Sequence, residues 1–121
     1  MASILIVEDE KSSAMLITQA LTRAGHTVTA ATDGADGIAK VKSLKPDLVI
    51  MDMSMPKMNG WQAIRSLKAD AATSAIPIIA LTGATTAGDR DEAYEAGCDA
   101  YENKPIDIPR LIARVKEFVK G

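Results

Sequence analysis

The stretch LVIMDMSMPKMNG, residues 48–60, decides how the rest of the chain is read. Leu48 to Met51 form an unbroken apolar run, and a lone carboxylate, Asp52, ends it. An unbroken apolar run reads as a strand covered on both faces, as in the middle of a parallel sheet. Pro56 and Gly60 then break the chain sharply before the next helical pattern. Putting a carboxylate where a buried strand ends, and turning immediately afterwards, asks for a chemical reason.

Working outward, four more β-rich runs are found at residues 3–7 (SILIV), 27–31 (TVTAA), 76–81 (IPIIAL) and 98–101 (CDAY). Together with residues 47–51 (DLVIM) they make five. TVTAA alternates, which predicts an edge strand. The other four are apolar enough to be covered on both faces. Helical spacing fills the gaps. Ala14, Ile17, Ala20, Leu21 and Ala24 mark a helix over 11–24, and Ile38 and Val41 mark one over 34–44 stopped by Pro46. Ile64 and Leu67 mark a third over 59–69, where Trp61 is expected to pack close enough to the site to report on it by fluorescence. A fourth, over 87–96 (AGDRDEAYEA), ends at Gly97, a C-cap residue. Ile108, Leu111, Ile112, Val115, Phe118 and Val119 follow a helical period in the last, with Asp107 to cap it and Pro109 in its first turn. Strands alternating with helices predict an α/β fold, a doubly wound five-stranded parallel sheet. Periodicity does not order the strands. The common small solution is the flavodoxin-like (βα)5 arrangement, order 2-1-3-4-5, with ligands outside the carboxyl ends of the strands.

Composition bounds the partners. The 121 residues fit one domain, 1–121, with no output domain expected. Formal charge is 14 − 16 = −2 and the pI is near 5.3, so no basic stripe is available to neutralise nucleic-acid phosphates. One cysteine, Cys98, forbids an internal disulfide. The opening MASILIVEDE lacks a basic n-region and a long apolar run, so neither a signal peptide nor a membrane span is expected, and a cytoplasmic location is the natural reading.

The residues past each predicted strand carry the chemistry. Glu8 and Asp9 follow the first, Asp52 the third, Thr82 and Gly83 the fourth, and Lys104 and Pro105 the fifth. In a parallel sheet these lie on one edge, and in the assumed order Asp9 and Asp52 converge. Close carboxylates repel, and a hard divalent cation removes the conflict. Lys104 is a compact charge suited to a phosphoryl oxygen or to Asp52, Thr82 can donate a hydroxyl, and Gly83 leaves room beside them. Phosphoryl transfer is mostly positioning and electrostatic stabilisation, and a carboxylate can serve as its nucleophile. Asp52, the central one, is the candidate.

With those residues named, the chain resembles the response-regulator receiver domains of two-component signalling, in their single-domain, chemotaxis-regulator-like form. ILIVEDE resembles the acidic-pair start, PDLVIMDMSMPKMNG the phospho-acceptor segment, IPIIALTG the segment ending in the switch threonine, and GCDAYENKP the segment ending in Lys-Pro. The resemblance implies that Asp52 is phosphorylated by a sensor histidine kinase or a histidine phosphotransfer protein. It implies Mg2+ or Mn2+ on Asp9, Asp52 and the Ser54 backbone carbonyl, with Glu8 acting directly or through water. Thr82 and Tyr101 would form the switch pair. Lys104 would contact the phosphoryl group, with a cis bond to Pro105. Glu8 departs from the family's commoner second aspartate. A downstream protein target would read the face of helix 4, strand 5 and helix 5, with no nucleic acid or membrane span involved and the chain a monomer or weak dimer. Such a chain catalyses its own phosphorylation and dephosphorylation and no other reaction.

Plainer readings stand beside these. An Asp or Thr after a strand is commonly a turn or cap residue. Met51, Met53, Met55 and Met58 suit gap-filling better than a soft-metal site. Cys98 reads as a small buried residue, Tyr101 as a strand-end packing residue, and His26 as a solvated turn residue. Two other functions share the fold. A flavodoxin-like electron carrier needs a phosphate loop where this chain has EDEKSS (8–13), which would repel a flavin phosphate. An aspartyl-phosphate phosphatase wants a second acid two residues past its nucleophile, where this chain has Ser54.

Overall fold

The computed structural model describes residues 2–53, 60–82, 91, 94–103 and 106–119, and at Gly60 and Trp61 the backbone only. The strands are β1 (Ser3–Val7), β2 (Thr27–Ala31), β3 (Leu48–Asp52), β4 (Ile78–Thr82) and β5 (Ala100–Asn103). The helices are α1 (Lys11–Arg23), α2 (Gly34–Leu44), α3 (Gly60–Ala69), the helical residues 94–96 (α4) and α5 (Ile108–Phe118). All strand pairs are parallel and the order is β2-β1-β3-β4-β5, the doubly wound flavodoxin-like arrangement expected.

Strand alternation builds two cores. Leu5, Val7, Val49, Met51 and Ala80 face one side and pack with Val41 of α2 and Ala63, Ile64 and Leu67 of α3. Ile4, Ile6, Leu48, Ile50, Ile79 and Leu81 face the other and pack with Ile17 and Leu21 of α1 and Leu111 and Val115 of α5. Each buried Val, Leu, Ile or Met among these contributes about 1.5–3 kcal/mol, so the apolar layers carry the fold. The helix ends follow their chemistry. Asp33 caps α2 through the Asp36 amide at 2.8 Å, and Asp107 caps α5 through the Arg110 amide at 3.1 Å. Gly97 closes α4 with φ 114°, where a Cβ would also lie 2.8 Å from Lys68 Cγ.

Three expectations shift. The strand expected over 76–81 begins at Ile78, because Pro77 has no N–H for a ladder and the Ile76 amide is turned back to Thr73 O at 3.1 Å. The strand expected over 98–101 begins at Ala100, because the Asp99 carboxylate is occupied by the Ile78 amide and Lys68. That strand is also an edge rather than a central one. β2 is the other edge, as its alternation predicted.

Candidate functional site

The ladder brings the acids together. Val7 pairs with Met51, so the next residues, Glu8 and Asp52, stand on adjacent chains. The pairing continues past the strand ends: the Glu8 amide donates to Ala31 O at 3.0 Å and the Met53 amide to Leu81 O at 2.9 Å. Asp52 is the last residue of β3 and Thr82 the last of β4, one place inside the positions expected. Glu8 and Asp52 are buried, at 3 % and 2 % exposure, while Asp9 is exposed. Glu8, Asp9 and Asp52 each offer a carboxylate oxygen, and these oxygens all lie within 4.8 Å of one another.

Two unit charges at that separation repel by roughly 3 kcal/mol at the effective dielectric of a protein surface. A cation among them offsets that repulsion. The donor set fits a hard one: three carboxylate oxygens, with the imidazole and thiol elsewhere. His26 and Cys98 both precede strands that begin at the opposite edge of the sheet. Burial, aided by the neighbouring Asp99 charge, pushes the Cys98 thiol up to about 11, so it stays protonated and inert. Cys98, Met51 and Met53 are buried packing residues, as expected. His26 is not simply solvated. It is half-buried, and its Nδ1 is covered with no hydrogen-bond partner among the described residues.

Thr82 is buried at 3 % and Tyr101 at 9 %. Tyr101 pairs with Ala80, two residues before Thr82, so the two side chains lie diagonally on one face of the sheet. Tyr101 packs in the core cluster with Ala80 and Met53, so its inward position already exists in this structure. Ser54, Gly83, Lys104 and Pro105 lie outside the described residues, as do residues 87–90, 92 and 93 of the predicted fourth helix, Met55, Met58 and the Trp61 side chain.

One cluster escaped the sequence reading. Glu102, on β5, is 7 % exposed. Arg110 Nε lies 2.9 Å from its Oε1 and Arg114 Nε 2.9 Å from its Oε2, and Arg114 Nη1 also reaches Glu117 at 2.9 Å. The hydrogen bond to Glu102, then that to Glu117, raises the Arg114 guanidinium pKa further. The signal was present as two arginines four apart beside the apolar stripe of the last helix. It had no meaning until the strand was extended to include an acid.

The chain matches the family model "Response regulator receiver domain" over residues 4–116. It is 40 % identical over 121 residues to Protein PilH of Pseudomonas aeruginosa, covering 100 % of both chains. It superposes on the chemotaxis protein CheY4 of Vibrio cholerae with a TM-score of 0.92 and 27 % identity, covering 98 % of this chain and 99 % of that one. On the receiver domain of the Pseudomonas aeruginosa sensor histidine kinase PA1611, which has a magnesium ion coordinated in its active-site cleft, the TM-score is 0.90 at 29 % identity over 99 % and 98 %. Neither an electron carrier nor a phosphatase is supported. The family match across the whole sheet, together with the acidic cluster at its carboxyl edge, makes this chain a response-regulator receiver domain, a phospho-accepting module of two-component signalling.

Proposed function

We propose that Asp52 is the phospho-acceptor of this receiver, and that its reaction with a phosphohistidine requires Mg2+ or Mn2+. The observation that carries the reading is the convergence of Glu8, Asp9 and Asp52 within 4.8 Å. An Asp52 carboxylate oxygen attacks phosphorus, a P–O bond forms, and the P–N bond to the donor imidazole breaks. The leaving imidazole takes the electron pair and a proton from water. Asp9 and Asp52, with Glu8 beside them and the Ser54 carbonyl, would hold the ion. Bound there, it would neutralise charge on the carboxylates and on the transferring phosphoryl oxygens. Burial of Asp52 between β1 and β4 holds the nucleophile in one orientation.

Lys104 and Thr82 would each take one phosphoryl oxygen, with Gly83 leaving space. Once Thr82 is drawn to the phosphoryl group, Tyr101 is held inward beside it, which biases the face formed by α4, β5 and α5. A sensor histidine kinase or phosphotransfer protein would supply the phosphoryl group, and a downstream protein would read the face. No helix among the described residues is long and apolar enough to cross a membrane.

The test is intact mass after incubation with acetyl phosphate, with and without magnesium, on the wild-type chain and Asp52→Asn. One added phosphoryl group that requires both magnesium and Asp52 supports the assignment. An adduct that persists in Asp52→Asn moves the acceptor elsewhere.

A further inference from the structure

A cleft of about 330 Å³ opens where α4, β5 and α5 meet, lined by Tyr94, Tyr101, Asn103, Asp107, Arg110 and Arg114 with Glu102 at its floor. Three observations single out Arg110 within it. Its side chain is 67 % exposed, against 32 % for Arg114. Its side chain makes one polar contact among the described residues, Nε to Glu102, whereas Arg114 is held at Nε by Glu102 and at Nη1 by Glu117. Tyr94, 49 % exposed, lines the same cleft. Arg110 is thus anchored at its Nε by a buried carboxylate, and its two terminal amino groups make no polar contact among the described residues and could form a fork.

A guanidinium fork matches a carboxylate in plane and spacing. Anchoring removes part of the rotamer entropy that an exposed arginine loses on binding. Arginine and tyrosine are also both enriched at interface hot spots. Glu102 and Asp107 both line the cleft, so a doubly charged phosphoryl group meets two carboxylates there, whereas a single carboxylate needs only the fork. We infer that this cleft receives an acidic side chain, Asp or Glu, from a segment of the downstream partner, with Arg110 as its anchor and Glu102 as the residue that positions Arg110. The inference rests on the proposed reading of this face as the one that phosphorylation biases.

The test is selection of a displayed library of random peptides on the full chain, with and without acetyl phosphate and magnesium. Synthetic copies of the enriched peptides are then titrated. Peptides carrying Asp or Glu are expected, binding at least tenfold more weakly when that acid is changed to its amide. Arg110→Ala should lose the same factor, and Glu102→Gln should lose part of it while leaving Arg110 present. Arg110→Lys, which keeps the charge but not the fork, should recover less than full affinity. No enrichment, acid-free peptides, or acidic peptides that bind Arg110→Ala unchanged would overturn the inference. So would a concentration-dependent dimer abolished by Arg110→Ala, which would make a second copy the occupant. Binding that needs Arg110 but ignores the Asp52 adduct would keep the anchor and remove the switch. Adduct-dependent binding indifferent to Arg110 would do the reverse.

Discussion

At the carboxyl edge of the sheet, Glu8 and Asp52 are buried beside Asp9, like charges gathered within 4.8 Å. Two strands from Asp52, on β5, Glu102 is buried between Arg110 and Arg114, with each of its oxygens 2.9 Å from one guanidinium. The residue types are alike and the depth is alike. The difference is what surrounds them. Opposite charges matched by the chain's own helix make Glu102 part of the scaffold. Like charges this close repel one another, and the cation proposed for this cluster would offset that repulsion. Cys98 shows a third outcome, because this buried acid stays neutral at ordinary pH.

The contrast can be broken at its strongest point first. Asp52→Asn should abolish the phosphoryl adduct entirely while leaving the fold intact, since it removes one of three repelling charges. Intact mass and thermal unfolding check the two halves. In magnesium-free buffer the variant should melt above the wild type, and a lower melting temperature would mean that Asp52 is structurally satisfied rather than crowded.

Next comes the matched cluster. Arg110→Ala with Arg114→Ala leaves Glu102 buried without the two α5 guanidiniums and should cost about 3 kcal/mol in urea unfolding. Glu102→Leu, which continues the apolar face of Leu81, Leu111 and Val115, should cost less than about 1 kcal/mol. Equal losses in the two variants would erase the distinction between a clamp and ordinary packing.

Magnesium should act only on the crowded cluster. At ten times its dissociation constant it should stabilise the wild type by about 1.4 kcal/mol. Chelation should remove this gain, Asp9→Ala should lose most of it, and Arg114→Ala should retain it. Differential scanning fluorimetry with and without the ion reads all three.

The smallest effect concerns Cys98. Its thiol is raised in the folded chain from the ordinary value of 9.0 to about 11. Between those values the unfolded chain has lost a proton that the folded chain keeps, so the contribution is complete below pH 9 and declines as pH rises toward 11. The stability difference between wild type and Cys98→Ala should therefore narrow by about 1 kcal/mol by pH 10. A constant difference across that range would show that the thiol titrates normally.

Much of the site was legible because it sits at strand ends. Asp52 closes an apolar run, Glu8 and Asp9 close another, and Thr82 a third. A parallel sheet carries all such ends to one edge, so reading the residue at each strand end anticipated that Glu8, Asp9 and Asp52 converge. The β5–α5 cluster was not legible. Pairing with β4 moved the strand two residues along the chain from its apolar run and brought Glu102 inside. Only then did α5 lay Arg110 and Arg114 over it. His26 was read as solvated, and its half-burial is a matter of packing that the local sequence does not carry.

By itself, the sequence determined the alternation of strands and helices, the cap at Asp107, and the identity of the acids at the sheet edge, because these depend on residues close along the chain. The tertiary structure decided which strands are neighbours, that Glu8 and Asp52 share a cleft, that Tyr101 lies diagonal to Thr82, and that a charged residue on an edge strand is buried. Those depend on register and helix placement, which are set by burying two apolar faces at once rather than by local pattern.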